Sequence, residues 1–183
     1  MERAAGRGRD DLPARLRAAG PGDAERLSLV GRATFLETFA GVLDGGGLVK
    51  HCAQRHAAHV YRAWLEDGIS RLWLVEADQG GAPVGYAVLS TPDLPIQLHD
   101  ADVELKRIYL LGRTQGAGWG RRLMDAIVAQ AREDGRRRVL LGVYAKNAAA
   151  IAFYRRAGFI QVGERRFQVG DGVYDDVVLA LDL

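Results

Sequence analysis

The chain is poor in cysteine and proline, has no long apolar run, and its charges nearly cancel. Each shortage excludes something. One cysteine, Cys52, rules out an internal disulfide framework and a cysteine-built zinc cage. It agrees with a reducing cytoplasm, the location expected here. A bilayer-spanning helix needs ~20 predominantly apolar residues. No such run exists, so no membrane partner is expected. Lys and Arg number 25 against 23 Asp and Glu, a net charge of +2. A dedicated nucleic-acid binder concentrates basic charge, so no nucleic-acid partner is expected either. His51, His56 and His59 flank Cys52 without an H-E-x-x-H arrangement. They read as packing or solvated histidines, and no metal is expected. The opening MERAAGRGRDD lacks the apolar centre of a signal peptide. Residues 1–11 are expected to be a disordered arm, and 12–183 a single domain.

What is present is ordinary for a globular protein: 48% hydrophobic and 26% charged residues in a chain of 183. Ala14–Ala19 can serve as a first strand. Pro21-Gly22-Asp23 turns the chain, with Asp23 placed to cap a helix over Ala24–Ala40. Gly45-Gly46-Gly47 predicts a break, followed by a second helix over Leu48–Leu65 that Gly68 closes. Arg71–Ala77 and Val84–Ser90 form a hairpin about Gly80-Gly81. Asp102–Leu111 is a longer strand after a loop. A helix to about Asp134 carries the stripe Leu123, Ile127, Val128 and Ala131. Arg138–Tyr144 is an apolar strand, Asn147–Ala157 a short helix, and Phe159–Val169 and Val173–Leu183 a last strand pair. The expected fold is α/β, with a mixed, strongly twisted sheet of about seven strands flanked by four helices. The unit from Asp102 to Tyr144 should be a right-handed parallel crossover.

The segment QGAGWG, Gln115 to Gly120, is the most pointed local signal. A glycine-rich turn opening a helix offers free backbone N–H groups and the positive end of the helix dipole to an anion. The dinucleotide pattern G-x-G-x-x-G fails, because Arg121 stands at its third position. No G-x-x-x-x-G-K-[ST] run exists either.

Three segments in order resemble the GNAT acetyltransferases over Ala14–Leu183. They are the strand VELKRIYLL, the loop Gln115-x-x-Gly118-x-Gly120, and KNAAAIAFYRRAGF from Lys146 to Phe159. The resemblance implies acetyl-CoA as cosubstrate. Its pyrophosphate would lie on Gln115, Gly116, Ala117, Gly118 and Gly120, with Arg121 or Arg122 adding charge. Its pantetheine arm would lie along Tyr109, Leu110 and Leu111. Tyr154 matches the family's usual general acid, which protonates the departing thiolate; the alternative is a ring packed beside Phe153. Asn147 would contact the cofactor or cap its helix. Glu104 is the candidate base for the incoming amine; the alternative is a strand carboxylate paired with Lys106.

Within the superfamily, ATFLETF (Ala33–Phe39), ELKRIYLL and the ending FQVGDGVYDDVVLALDL are similar to bacterial spermidine/spermine acetyltransferases. That implies a small-molecule amine acceptor, polyamines included, with Glu37, Glu104, Asp171, Asp175 and Asp176 as available acids. Two other readings stay open: acetylation of a protein N-terminus or lysine, and a CoA-sensing domain without turnover. Homodimers are common in the superfamily and are one expected assembly.

Overall fold

The computed structural model describes residues 12–183; the arm expected over 1–11 lies outside them. Seven strands form one sheet: β1 (Ala14–Ala18), β2 (Arg71–Ala77), β3 (Pro83–Ser90), β4 (Asp102–Leu110), β5 (Arg138–Tyr144), β6 (Ile160–Val169) and β7 (Gly172–Asp182). Their spatial order is β1-β2-β3-β4-β5-β7-β6. All pairs are antiparallel except β4 with β5. The mixed sheet and the parallel unit expected from the sequence are both present. None of the described helices is long and apolar enough to cross a membrane.

Helices cover both faces. α4 (Trp119–Glu133) and α5 (Ala148–Arg156) pack on one. α4 buries Trp119, Leu123, Met124, Ile127 and Ala131 against Val103, Leu105, Val139, Leu141 and Leu179. Each such large apolar side chain contributes roughly 1.5–3 kcal/mol when fully buried. The other face carries α1 (Ala24–Phe39), α2 (Gly45–Arg55) and α3 (Ala58–Glu66). Leu27, Val30 and Tyr61 there meet Leu72, Leu74, Tyr86 and Val88.

The second helix of the expected four thus comes in two pieces. His56 and Ala57 interrupt it because tertiary partners claim the carbonyls there. Ser28 Oγ donates to the His56 carbonyl at 2.6 Å, and Arg107 Nη2 to that of Arg55 at 2.5 Å. The triple glycine does not break the chain but opens α2, where the Asp44 carboxylate accepts from the Gly47 N–H at 2.7 Å. A Cβ on Gly47 would stand 3.1 Å from the Gly170 backbone, so the helix start and the β6–β7 turn require each other's smallness. Asp23 occupies the N-cap position of α1 but makes no side-chain cap bond. Its carboxylate is held by Arg17 and by the Gly20 N–H, which draws it down to about 2.

One irregularity in β4 organises the centre. Leu105 pairs with Leu89 and Arg107 with Val88, so Lys106 is an extra residue, a β-bulge. Before it, Val103 and Leu105 face the α4 side; after it, Ile108 and Leu110 do. The bulge shifts the pleat by one and turns Arg107 and Tyr109 toward the α1–α3 side. The β4–β5 ladder stops at Glu104 and Leu140, and the two strands part beyond that rung. The bulge and the parting fall at the same place.

Candidate active site

The gap between β4 and β5 is bordered on one side by the glycine loop. Gly116 (φ +90°) and Gly118 (φ +82°) hold the left-handed conformation that glycine adopts without strain. Gly118 is also the N-cap position of α4, without a side-chain cap, so the helix's first N–H groups have no side-chain partner. A Cβ on Gly118 would meet nothing within 4 Å, so its requirement is conformational. A Cβ on Gly120 would reach ordinary contact with the Phe153 ring at 3.5 Å. Gln115 turns its Nε2 onto the Leu110 carbonyl at 3.0 Å, fastening the loop to the end of β4. Arg121 pairs with Asp125 at 2.8 Å on an exposed helix face. Arg122 stacks over Trp119, 4.5 Å from its centroid. Ala117 packs against the α4-side core, and Leu111 follows β4 with its N–H on the Val84 carbonyl at 2.9 Å.

On the same side, Asn147 Oδ1 accepts from the Ala150 N–H at 3.1 Å and caps α5. Tyr154, in the next turn and a half, is buried between Phe153 and Phe159. Its phenol makes no hydrogen bond among the described residues, and none of their buried side-chain polar atoms is left unpartnered. The Tyr154 oxygen therefore reaches open space. Burial, and secondarily the nearby Tyr109, push its pKa well up, so it stays protonated across the physiological range.

Across the sheet, Glu104 is buried on the last paired rung. Its Oε2 accepts from Lys106 Nζ at 2.6 Å and from the Asp93 N–H at 3.0 Å. The pairing with Lys106 is thus present. Glu104 Oε1 has no donor among the described residues and, by the same reasoning, is not sealed in. Burial raises the Glu104 carboxyl above its ordinary value, against the pull of Lys106. Tyr109 stacks on Tyr86 at 6.0 Å and is pushed up to about 12 by burial. Arg107 donates to Tyr61 Oη at 2.6 Å.

Of the five acids named from sequence, only Glu104 and Asp176 share this face. Glu37 is tied to the Gly112 N–H at 2.7 Å. Asp171 lies exposed in the β6–β7 turn, and Asp175 is one residue out of phase with Asp176, on the opposite face. The histidines pack or point outward: His56 Nδ1 meets Tyr61 Oη at 2.8 Å, His51 stacks on Phe35 at 4.4 Å, and His59 is exposed. No group of three or more His, Cys, Asp or Glu among the described residues is arranged to hold a metal ion.

Sequence reasoning missed Arg165. Its guanidinium lies over Gly142, where a Cβ would stand 2.7 Å away, and its Nε donates to Asp176 Oδ2 at 3.0 Å. A lone glycine inside the apolar run of β5 was the available signal, since it marks a close approach.

A twisted mixed sheet whose central parallel pair parts beside a glycine-cradled helix start defines an acyl-CoA-binding domain, and the comparisons agree. The acetyltransferase (GNAT) family model matches residues 44–159. An uncharacterised N-acetyltransferase of Mycobacterium tuberculosis is 38% identical over 161 residues, covering 88% of this chain and 98% of its own. The N-alpha-acetyltransferase RimI of the same organism is 38% identical over 96 residues, about half of each chain. The PaiA N-acetyltransferase of Thermoplasma acidophilum, solved with coenzyme A, superposes with a TM-score of 0.76 at 17% identity, covering 94% of this chain and 100% of its own. The chain belongs to the GNAT family and is an acetyl-CoA-dependent N-acetyltransferase.

Proposed function

We propose that the protein moves the acetyl group of acetyl-CoA to a primary amine of a small molecule by direct attack in a ternary complex. The observation that carries this reading is the pairing of a splayed β4–β5 edge with an intact left-handed glycine loop. The N–H groups of Gly116, Ala117, Gly118 and Gly120 fit a pyrophosphate, which needs several donors and little bulk, whereas the Gln115 N–H expected with them donates to the Gly112 carbonyl at 3.2 Å. Arg121 is near enough to that loop in sequence to add charge once released from Asp125. The β4 edge from Tyr109 to Leu111 lies where the amide-rich pantetheine arm would run, although the Leu110 carbonyl is held by Gln115 and the Leu111 N–H by Val84. Asn147 holds α5, and with it Tyr154, in place.

Acid and base stand on opposite faces of the sheet with the gap between them. The amine nitrogen attacks the thioester carbonyl, a C–N bond forms, and the C–S bond breaks. Glu104, through water at its Oε1, takes the proton the amine loses; its raised pKa brings it nearer to neutral pH. Tyr154 gives a proton or a hydrogen bond to the departing thiolate.

The test is thiol release from acetyl-CoA with polyamines, amino acids and aminosugars, against Tyr154→Phe. Turnover that collapses in the variant supports the assignment. Bound acetyl-CoA without release for any acceptor would favour a sensing domain. Acetylation of protein N-termini is a second reading, favoured by the likeness to RimI over half of the chain. Peptides beginning with different residues belong in the same panel. The similarity of the first helix and last strands to spermidine/spermine acetyltransferases keeps polyamines in it as well.

A further inference from the structure

The α1–α3 face of the gap has a charge pattern the reaction alone does not require. Register fixes which side chains share it. Gly142 and Tyr144 of β5 lie opposite Val178 and Asp176 of β7, and Asp176 in turn lies opposite Arg165 of β6. Phe167 faces Tyr174 two rungs further, back on the same face. Phe39 of α1 reaches Tyr144, with ring centroids 6.4 Å apart, and His51 of α2 reaches Phe167 at 5.7 Å. These contacts form a roof. At the end of β5, between Pro95, Ala145 and the β6–β7 pair, lies an open cavity of about 610 Å³ that takes in residues of both faces, Arg165 and Asp176 on one and Arg166 and Asp175 among those on the other.

Arg165 is the unusual member. It is 22% exposed, held by Asp176 through Nε alone, and stacked 5.4 Å from the Phe167 centroid. Its two Nη groups make no hydrogen bond among the described residues, and no buried polar atom there is unpartnered. Neither is therefore sealed from solvent, and Nη2 lies against Gly142. The result is a guanidinium whose orientation is fixed and whose two Nη groups have no hydrogen-bond partner among the described residues, the arrangement that reads a carboxylate. Asp176 Oδ1 is likewise free. The guanidinium lies over Gly142, two residues past Leu140, the rung partner of Glu104. At ~3.3 Å per residue, it sits roughly 7 Å along the gap from the candidate base. Charges on this face balance: Glu104, Asp93 and Asp176 against Lys106, Arg107 and Arg165. A polycation would therefore find no excess of negative charge there, because each acid but one oxygen of Glu104 and of Asp176 is already met by a cation.

We infer that the acceptor is an amino acid: an amine carrying a carboxylate a few bonds away, which Arg165 binds while the amine faces Glu104. Phe167, Tyr144 and Phe39 offer its side chain an apolar, aromatic surface. This deepens the N-acetyltransferase reading and rests on it.

The experiment measures kcat/KM for a panel of L-amino acids, each beside its decarboxylated amine, together with spermidine. Binding of the same compounds to the protein–CoA complex is followed calorimetrically. At least one acid is expected to exceed its decarboxylated partner and spermidine by about tenfold or more, as loss of a charge-assisted bidentate contact would give. Arg165→Gln should erase that preference through KM for the acid, leaving acetyl-CoA affinity and the poorer amines little changed. Arg165→Lys should restore part of it. Spermidine or a decarboxylated amine used as well as every acid would overturn the inference. So would failure of every acid to bind the CoA complex at millimolar concentration, or an equal loss for acids and amines in a folded Arg165→Gln. The wild-type panel decides the matter even if that variant does not fold. Failure to bind acetyl-CoA at all would instead strike at the underlying acetyltransferase reading.

Discussion

The two faces of the sheet were built by different rules. The α4–α5 face is apolar: Leu123, Met124, Ile127, Val139, Leu141 and Leu179 leave polar work to a glycine loop and one phenol. The α1–α3 face beside the gap is charged and aromatic, with Glu104 bonded to Lys106, Arg165 to Asp176 and Arg107 to Tyr61. The first face presents backbone, which serves one unchanging cosubstrate. The second presents side chains, which can be exchanged to suit an acceptor. On the proposed reading, the cosubstrate is held mainly from one face and the acceptor from the other, with the chemistry in the gap between them.

The sharpest way to break this division is on the backbone side. Gly118→Asp should cost at least a hundredfold in acetyl-CoA affinity. Asp tolerates a left-handed φ better than most residues, so the loss reflects a carboxylate facing a pyrophosphate. Unchanged affinity in the folded variant, measured by calorimetry, would sink the loop assignment. Tyr154→Phe comes next, with kcat lowered about a hundredfold and acetyl-CoA affinity kept. An unaltered rate across pH would return Tyr154 to a packing role.

On the other face, Glu104→Gln should lower kcat/KM roughly tenfold or more and remove the acidic limb of the pH–rate profile. A base must be ionised, and burial raises Glu104, so that limb should lie above the ordinary carboxylate range. A profile shared by both proteins would assign the proton to water alone. His56 tests the roof by stability. Burial pulls it down to about 2 from 6.5. The unfolded chain therefore takes up a proton below pH 6.5 that the native protein refuses, and stability falls as pH falls. Between pH 6.5 and 5 the loss is about 2 kcal/mol. His51, pulled down to about 4 by burial, adds a like share, so His56→Gln should roughly halve the histidine slope in chemical denaturation, and an equally steep slope would show that other groups set it. The mildest change is Gly120→Ala. Its Cβ would make ordinary contact with Phe153, so acetyl-CoA affinity should move less than about threefold.

The same division explains what the sequence made legible. Strand alternation, the α4 stripe and the glycines of the loop are local signals, and they located the sheet, the parallel β4–β5 unit and the left-handed turn before α4. The capping role open to Asn147 was also readable, because a cap is made within one turn. The interruption at His56 was not. It depends on Ser28 and Arg107, distant in sequence, reaching carbonyls that a continuous helix would have used itself. Asp175 and Asp176 looked equivalent until strand register put them on opposite faces. Gly142 hinted at a close approach, but which side chain makes it was not readable: Arg165 meets Gly142 and Asp176, on two other strands, only after folding.

The extra residue in β4 carries a consequence for reading related chains. Hydrophobic positions run odd through Val103 and Leu105, then even through Ile108 and Leu110. That change of phase is written in one dimension, yet it marks the point in space where two strands separate. A relative whose fourth strand shows the same stumble in its alternation is expected to part from its neighbour at that residue.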